Sequence, residues 1–450
     1  MSPSHLWSSC GCLSFIALLA GCSNDTVNLG GGREPRVLQS GERCSGGASI
    51  VQGPVTVHDQ GELEQLAGCE QIDGDLHIEV FEGADLRPLS ALRVVDGLLE
   101  IGAYPDAADQ EQSDLGEIRS RVDGIVRDGY LSSLTGLEGL QRASTLQLSY
   151  IAAADLEPLL GLRQLSGRAS DLPAGSLYVE HAGNLRDLRG LSNIESVQEV
   201  VLAYNPALTN LGEIQLSPKA ANVTLVGSPL LSSISELARI TSATTVTLSD
   251  LGITDIDSLV NLSYVEYNII VDSNESLQNL GGLANVSSAA GFTVTNNRVL
   301  ESITGLHGRP FEVDTLMVYN NPKLQSLHLD LPAKVLGGES LQGSPVPNPV
   351  KLINIGNNAS LTELSLSAGL ESGRVIAVYE NPALVQLSIG TLRTMDELHI
   401  TGNASLEHVD VGALETVDEL SLIDNPKLDP AQLGKVRTFT SIVGRNATSP

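Results

Sequence analysis

Aromatic residues are scarce, at 3 % of the 450 residues, with a single tryptophan, Trp7. A ligand face built on stacked indoles is therefore excluded beyond the first few residues. Basic residues are short as well, 26 against 54 acidic, for a formal net charge of −28 at neutral pH. Such a chain repels nucleic acid and anionic membrane surfaces, and it lacks the basic patches that nucleic-acid binding uses. Long apolar runs are missing. The run at residues 13–20 is too short to cross a bilayer as a helix, and no second one follows. The five cysteines, Cys10, Cys12, Cys22, Cys44 and Cys69, form no C-x-x-C and have no neighbouring histidine pair, which argues against zinc binding and dithiol redox chemistry. Neither H-E-x-x-H, nor G-x-S-x-G, nor a phosphate-binding Gly-rich loop occurs, and the eight histidines are scattered. An EF-hand phrase and the Gly-rich nonapeptide of calcium-bound β-rolls are also missing. No cofactor is expected.

What is present is repetition. An apolar pair spaced i, i+3 recurs about fifteen times, from Leu63/Leu66 to Leu428/Ala431, mostly at steps of 22 to 25 residues. A fixed period near 23 describes a solenoid, in which each repeat is one coil stacked on its neighbours. Eight and six residues before the key apolar residue stand two alternating apolar positions, such as Leu316/Val318, Ile376/Val378 and Leu398/Ile400. Period-two alternation over so short a run predicts a strand with one buried face. Three residues before the key residue comes asparagine at Asn205, Asn274, Asn297, Asn321, Asn358, Asn381, Asn403 and Asn425, with Asp128 and Asp250 in the same slot of two further repeats. These residues tolerate turn dihedrals and bond their own backbone, so they suit a corner of the coil, and stacking would set their amides into a hydrogen-bonded ladder. Proline follows the slot at Pro206, Pro322, Pro382 and Pro426, in keeping with a bend.

The unit L-x-I-x-x-N-x-x-L-x-x-L, as in Leu398-His399-Ile400-Thr401-Gly402-Asn403-Ala404-Ser405-Leu406-Glu407-His408-Val409, resembles the leucine-rich-repeat core. Cys44, followed by Cys69-Glu70-Gln71-Ile72-Asp73-Gly74-Asp75-Leu76-His77-Ile78, looks like the opening of a receptor L-domain, the module of insulin- and growth-factor-receptor ectodomains and of related fungal and bacterial surface proteins. That resemblance implies a mainly β, right-handed solenoid over residues 44–445. The Cys-rich domains of the animal receptors are missing, so a growth-factor role does not carry over.

The N-terminal stretch ends in Leu19-Ala20-Gly21-Cys22-Ser23, which resembles a bacterial lipobox, where the cysteine becomes the acylated first residue. An ordinary secretory signal is the alternative, and the absence of Lys and Arg before residue 22 favours it. On the lipobox reading, residues 1–21 are a signal peptide, 22–43 a flexible tether, 44–445 the solenoid and 446–450 a tail. The membrane is then a partner through the Cys22 lipid. Ser23, in place of the usual inner-membrane retention aspartate, points to the outer membrane. Neither a glycolipid-anchor tail nor a membrane-spanning helix is expected. Cys44 and Cys69 are left as an even pair that an oxidising compartment should join.

Three longer steps of 45, 29 and 37 residues mark insertions, which belong on loops, either as binding elements or as neutral drift. The acidic loop 106–117 is a candidate for weak calcium binding. A parallel β-helix enzyme acting on polysaccharide is the competing function class, with Asp255/Asp257 and Glu415/Asp418/Glu419 as its nearest carboxylates. Tyr319 and Tyr379 share one repeat position and form a small aromatic pair. N-x-S/T sequons occur, among them those at Asn222, Asn358 and Asn403, and several coincide with the turn slot, where asparagine has its own structural reason. The sequence points to a lipid-anchored, non-catalytic envelope protein whose solenoid meets a protein or glycan.

Overall fold

A computed structural model describes residues 36–37, 50–79, 81, 83–102, 131–167, 172–303, 311–331, 350–368, 372–390 and 392–444. Cys22, Cys44, the tether, Asp128, the loop 106–117 and the tail lie outside them. The chain divides into two units, Met1–Arg36 and Val37–Pro450. The second is a parallel β-solenoid of about 14 turns of about 23 residues, against the fifteen expected. The first apolar pair, Leu63/Leu66, lies on a short α-helix, Gln60–Gln65, whose N-terminus is capped by the Asp59 side chain.

Each strand of the main sheet pairs in parallel with the strand one coil on. The inward column runs Leu202, Leu225, Leu248, Val271, Val294, Val318, Ile355, Val378, Ile400 and Leu422 in unbroken register. All ten are buried, because a period of two sends alternate side chains inward where the next coil covers them. The two larger insertions do not break the column, which continues back through Val179 and Leu148: Ile101 pairs with Leu148, and Val318 with Ile355.

The opposite side of the coil takes two forms. Between Arg87 and Leu283 it consists of 3-10 turns, including Arg87–Ala91, Glu157–Leu159, Arg189–Leu191, Ser235–Arg239, Asp257–Asn261 and Gly281–Leu283. From Ser326 to Asp410 it is a second parallel sheet of four strands, Ser326–Leu331, Glu363–Ala368, Gln386–Ser388 and His408–Asp410, and the last coil returns to a 3-10 turn, Pro430–Leu433. Apolar spacing explains the change. Leu156-Leu159-Leu162 and Ile256-Leu259-Leu262 step by three, the residues per turn of a 3-10 helix. Leu361-Leu364-Leu366 and Leu384-Leu387-Ile389 end with a step of two, the strand period.

The asparagine slot is a buried corner. Asn381 N–H donates to Asn403 Oδ1 at 3.1 Å, Asn403 Nδ2 donates to Val378 O at 3.0 Å, and Asn403 N–H donates in turn to Asn425 Oδ1 at 3.0 Å. The same links join Asn274, Asn297, Asn321, Asn358 and Asn381. Asn205 holds Ala182 N–H and Val179 O in the same way, but stands apart from that run. The next two slots are Ser228 and Leu251, which pair with each other as the strands Lys219–Ser228 and Ser242–Leu251 run on through the corner. Asp250 is therefore not a slot residue. Leu251 N–H donates to Asn274 Oδ1 at 3.1 Å, and Asp250 takes the preceding left-handed position at φ 52°. The residue missing from that coil falls after the slot, so counting back from Ile253 lands one residue early.

Candidate binding face

The outward face of the main sheet carries a central column set by the same register. Over six consecutive coils it reads Val201, Thr224, Thr247, Ile270, Thr293 and Met317. None is charged, in a chain of net charge −28. The charged residues of these coils concentrate on the 3-10 side and its flanks, where Asp187, Arg189, Glu236, Arg239, Asp255 and Asp257 stand.

Two carboxylates are nevertheless buried at the margins of this face, each by a different logic. Glu199 is 5 % exposed and accepts hydrogen bonds from Ser176 Oγ at 3.0 Å, from Tyr178 OH at 2.9 Å and from Asn222 Nδ2. Burial together with the Glu199 charge pushes the Tyr178 phenol far up. Asp272, 9 % exposed, accepts from Ser249 Oγ at 3.2 Å, Ser273 Oγ at 2.9 Å, Asn296 Nδ2 at 2.8 Å and Thr295 Oγ1. Both are saturated acceptors, the condition under which a buried charge is tolerated.

Beside Tyr178 the pattern is different. Glu180 lies in register with Ser149. Ser149 Oγ is buried without a hydrogen-bond partner. Burial raises the Glu180 carboxyl above the usual carboxylate range. Next to this pair stands a row of three rings. Tyr150 stacks on His181 with centroids 4.4 Å apart and planes 10° from parallel, and His181 stacks on Tyr204 at 5.0 Å and 19°. Gly227 completes the row: a Cβ there would come within 2.6 Å of Tyr204 Cδ1, so the ring lies against bare backbone. All three ring residues hold left-handed backbone, at φ 56°, 53° and 57°. Later coils fill the equivalent position with Ser273, Asn296, Asn320, Asn357, Glu380, Gly402 and Asp424, of which the asparagines, the aspartate and the glycine adopt it cheaply. A tyrosine or histidine does so at a cost of about 1 kcal/mol, and strained side chains of this kind gather at functional sites.

The sequence-derived candidates fall elsewhere. Tyr319 and Tyr379 are in register with Gly356 between them, and the Tyr379 ring lies over Gly356. Burial pushes both phenols up, aided by Asp272 at Tyr319 and by Tyr319 and Glu380 at Tyr379. Asp255 sits on the 3-10 side and accepts from Asp257 N–H at 3.2 Å, which makes the pair a turn device. Glu415 is bridged to Arg393 at 2.8 Å. Asp418 and Glu419 line an open depression of about 630 Å³ with Asp396, Glu397 and Thr440. Among the described residues, no group of three or more His, Cys, Asp or Glu side chains is arranged to hold a metal. Cys69 is buried and disulfide-bonded. Among the described residues, no helix is long and apolar enough to cross a membrane. The ring row escaped sequence reading because its members are 31 and 23 residues apart. Its one sequence signal is an aromatic residue or histidine just ahead of the turn slot in consecutive repeats.

No family model matches the chain, and neither does any curated protein. Among solved structures, it is similar to an internalin from Listeria monocytogenes, at 16 % identity over 89 % of this chain and 88 % of that one, with a TM-score of 0.34. It is also similar to a leucine-rich-repeat protein of Leptospira interrogans, at 14 % identity over 85 % and 92 %, with a TM-score of 0.32. The TLR13–ssRNA13 complex follows at 12 % identity, 84 % and 63 % coverage and a TM-score of 0.24. These neighbours are leucine-rich-repeat proteins. At such scores the fold assignment rests on the strand register itself.

Proposed function

We propose that this protein is a non-catalytic binding scaffold, held at a bacterial outer membrane by lipid on Cys22, which presents the outward face of its main sheet to a protein or glycan. The charge-free column from Val201 to Met317 carries the reading. A strongly acidic chain keeps this strip of β-branched and apolar side chains free of charge; Thr224 and Thr247 are buried in it, and the part-exposed Val201, Ile270, Thr293 and Met317 are the side chains available for contact. The lipobox-like Cys22 supports the anchor, and pairing of the buried, disulfide-bonded Cys69 with Cys44 fits an exported protein. The receptor L-domain resemblance is consistent with a surface that binds.

Site-specific photo-crosslinking in intact cells tests the face. A benzophenone side chain at position 270 should trap one discrete partner, and the same probe at position 236, on the 3-10 side, should not. Equal trapping at both positions would remove the case for this face. Cys22→Ser should move the protein to the soluble fraction, because several acyl chains at about 0.8 kcal/mol per buried CH₂ make release negligible. Retention on membranes would refute the anchor.

A further inference from the structure

We infer that the coil carrying Tyr264 and Tyr267 grips an arginine-bearing segment of a partner protein. This rests on the binding-scaffold reading and names the chemistry of what one part of the face holds.

Among the described residues seven large apolar side chains are well exposed, and three of them, Val260, Tyr264 and Tyr267, belong to one coil. Val260 lies near the end of the 3-10 turn Asp257–Asn261, and the tyrosines lie at the start of the strand Tyr264–Asp272. An extra residue puts Tyr267 on the outside. In the neighbouring coils two residues separate two buried positions: Thr244 and Thr245 between Ala243 and Val246, Ala290 and Gly291 between Ala289 and Phe292. Here three residues, Glu266, Tyr267 and Asn268, separate Val265 from Ile269, and the register with the preceding strand shifts at that point. A bulge of this kind re-aims a side chain. Both inward positions stay filled, so the added residue serves the outside of the coil and not the core. Asn268 leans over Gly291, where a Cβ would come within 2.2 Å of its Oδ1. The side chains flanking the rings in the adjacent strands are short. Tyr264 and Tyr267 therefore stay 48 % and 47 % exposed, with no other ring stacked on them among the described residues.

Charge selects the occupant. From Ile240 to Asn297 the chain has no lysine, arginine or histidine, yet it has six acidic residues, among them the part-exposed Glu266 between the two tyrosines. Along the row through Tyr264, Lys219 stands two strands earlier, with Ser242 between them. This coil and the coils on either side thus surround two exposed rings with charge of one sign. Tyrosine faces attract cations, and a carboxylate beside them adds a charge-assisted hydrogen bond. A guanidinium satisfies both, because it stacks flat on a ring and forks to a carboxylate, whereas an ammonium is a compact point charge. Anions are repelled. A neutral sugar would also stack on the rings, but it gains nothing from the base-free surroundings. Val260 adds an apolar contact on the same coil, and apolar contact bordered by charge is the composition of a protein interface.

Calorimetric titration of the full-length protein in a non-ionic detergent tests this, at about 0.15 M salt so that long-range attraction to the acidic chain is screened. The probes are a capped tetraarginine peptide, its neutral tetracitrulline counterpart and cellotetraose. Tetraarginine should bind, and the two neutral probes should bind about tenfold more weakly or not at all. Tyr267→Ala and Glu266→Gln should each weaken tetraarginine about fivefold, whereas Tyr267→Phe, which keeps the ring face, should match the wild type. Glu157→Gln, which removes one exposed carboxylate from the 3-10 side, should also match it. Circular dichroism of each variant checks that the fold is kept. Three results would overturn the inference: no tetraarginine binding at millimolar concentration, a loss in Glu157→Gln equal to that in Glu266→Gln, which would reduce the attraction to net charge, or cellotetraose binding as tightly as tetraarginine with the same dependence on Tyr267. Crosslinking at position 270 is independent of these results. If it succeeds while tetraarginine fails, the arginine assignment falls and the scaffold reading stands; if both fail, both fall.

Discussion

The coils between residues 176 and 261 and those between 311 and 425 are built on one repeat but held together differently. In the later coils every corner is an asparagine, and each amide closes on the next, from Asn321 through Asn358, Asn381 and Asn403 to Asn425. Their far side is a second sheet, so these coils are hydrogen-bonded to their neighbours on two sides. In the earlier coils the corners are Ala182, Asn205, Ser228 and Leu251, the far side is 3-10 turn, and at the last two corners the main strands lengthen to ten residues to continue pairing through the turn. Side-chain ladders and longer strands are two solutions to one problem, the buried backbone groups of a tight turn.

The core offers the strongest way to break this comparison. Phe292 is fully buried against Phe311, edge to face at 5.5 Å, where the later coils begin. Its register partner two coils earlier is Val246. Phe292→Ala should cost about 3–5 kcal/mol, and Val246→Ala about 2 kcal/mol because less volume is removed. Denaturant titration of both variants checks this. Equal losses would mean that the two regions do not differ in packing.

The corners come next. Asn403→Ala leaves Asn381 N–H and Val378 O without their partners, at about 1–3 kcal/mol, with the damage greatest in the adjoining coils. Ser228→Ala removes a hydroxyl that bonds to nothing and should stay within about 0.5 kcal/mol. Should hydrogen exchange show the coils around Ser228→Ala opening as readily as those around Asn403→Ala, the earlier corners also depend on their side chains.

The smallest effect sharpens the comparison through pH. Glu180 has a folded-state carboxyl raised by burial above its unfolded value of 4.5. The native state therefore holds this proton more readily than the unfolded one. The stability that follows is fully present below the unfolded value and is lost as pH rises through the higher folded value. Glu180→Gln should melt above the wild type at pH 7, and the gap should close toward pH 4. A gap that widens on acidification would mean that Glu180 is held as a stabilised carboxylate.

Much of this fold is legible in the residues alone. The 23-residue period, the strand alternation and the asparagine slot dictate stacked coils with a buried corner, since no other arrangement covers one apolar face per repeat. Even the change from 3-10 turn to second sheet is written in the step from Leu364 to Leu366 as against that from Leu259 to Leu262. The one-residue slip at Asp250 shows the limit: spacing gives the length of a coil but not where within it a residue is missing. Tertiary structure alone decided which side chains meet across coils. Ser149 and Glu180 are 31 residues apart, and the three rings come from three repeats. Their contact depends on parallel register, which hydrogen bonding between strands fixes only once the coils have stacked. Burial, and with it the contrast between the buried, hydrogen-bonded Glu199 and the part-buried Glu180, exists only in that stacked state.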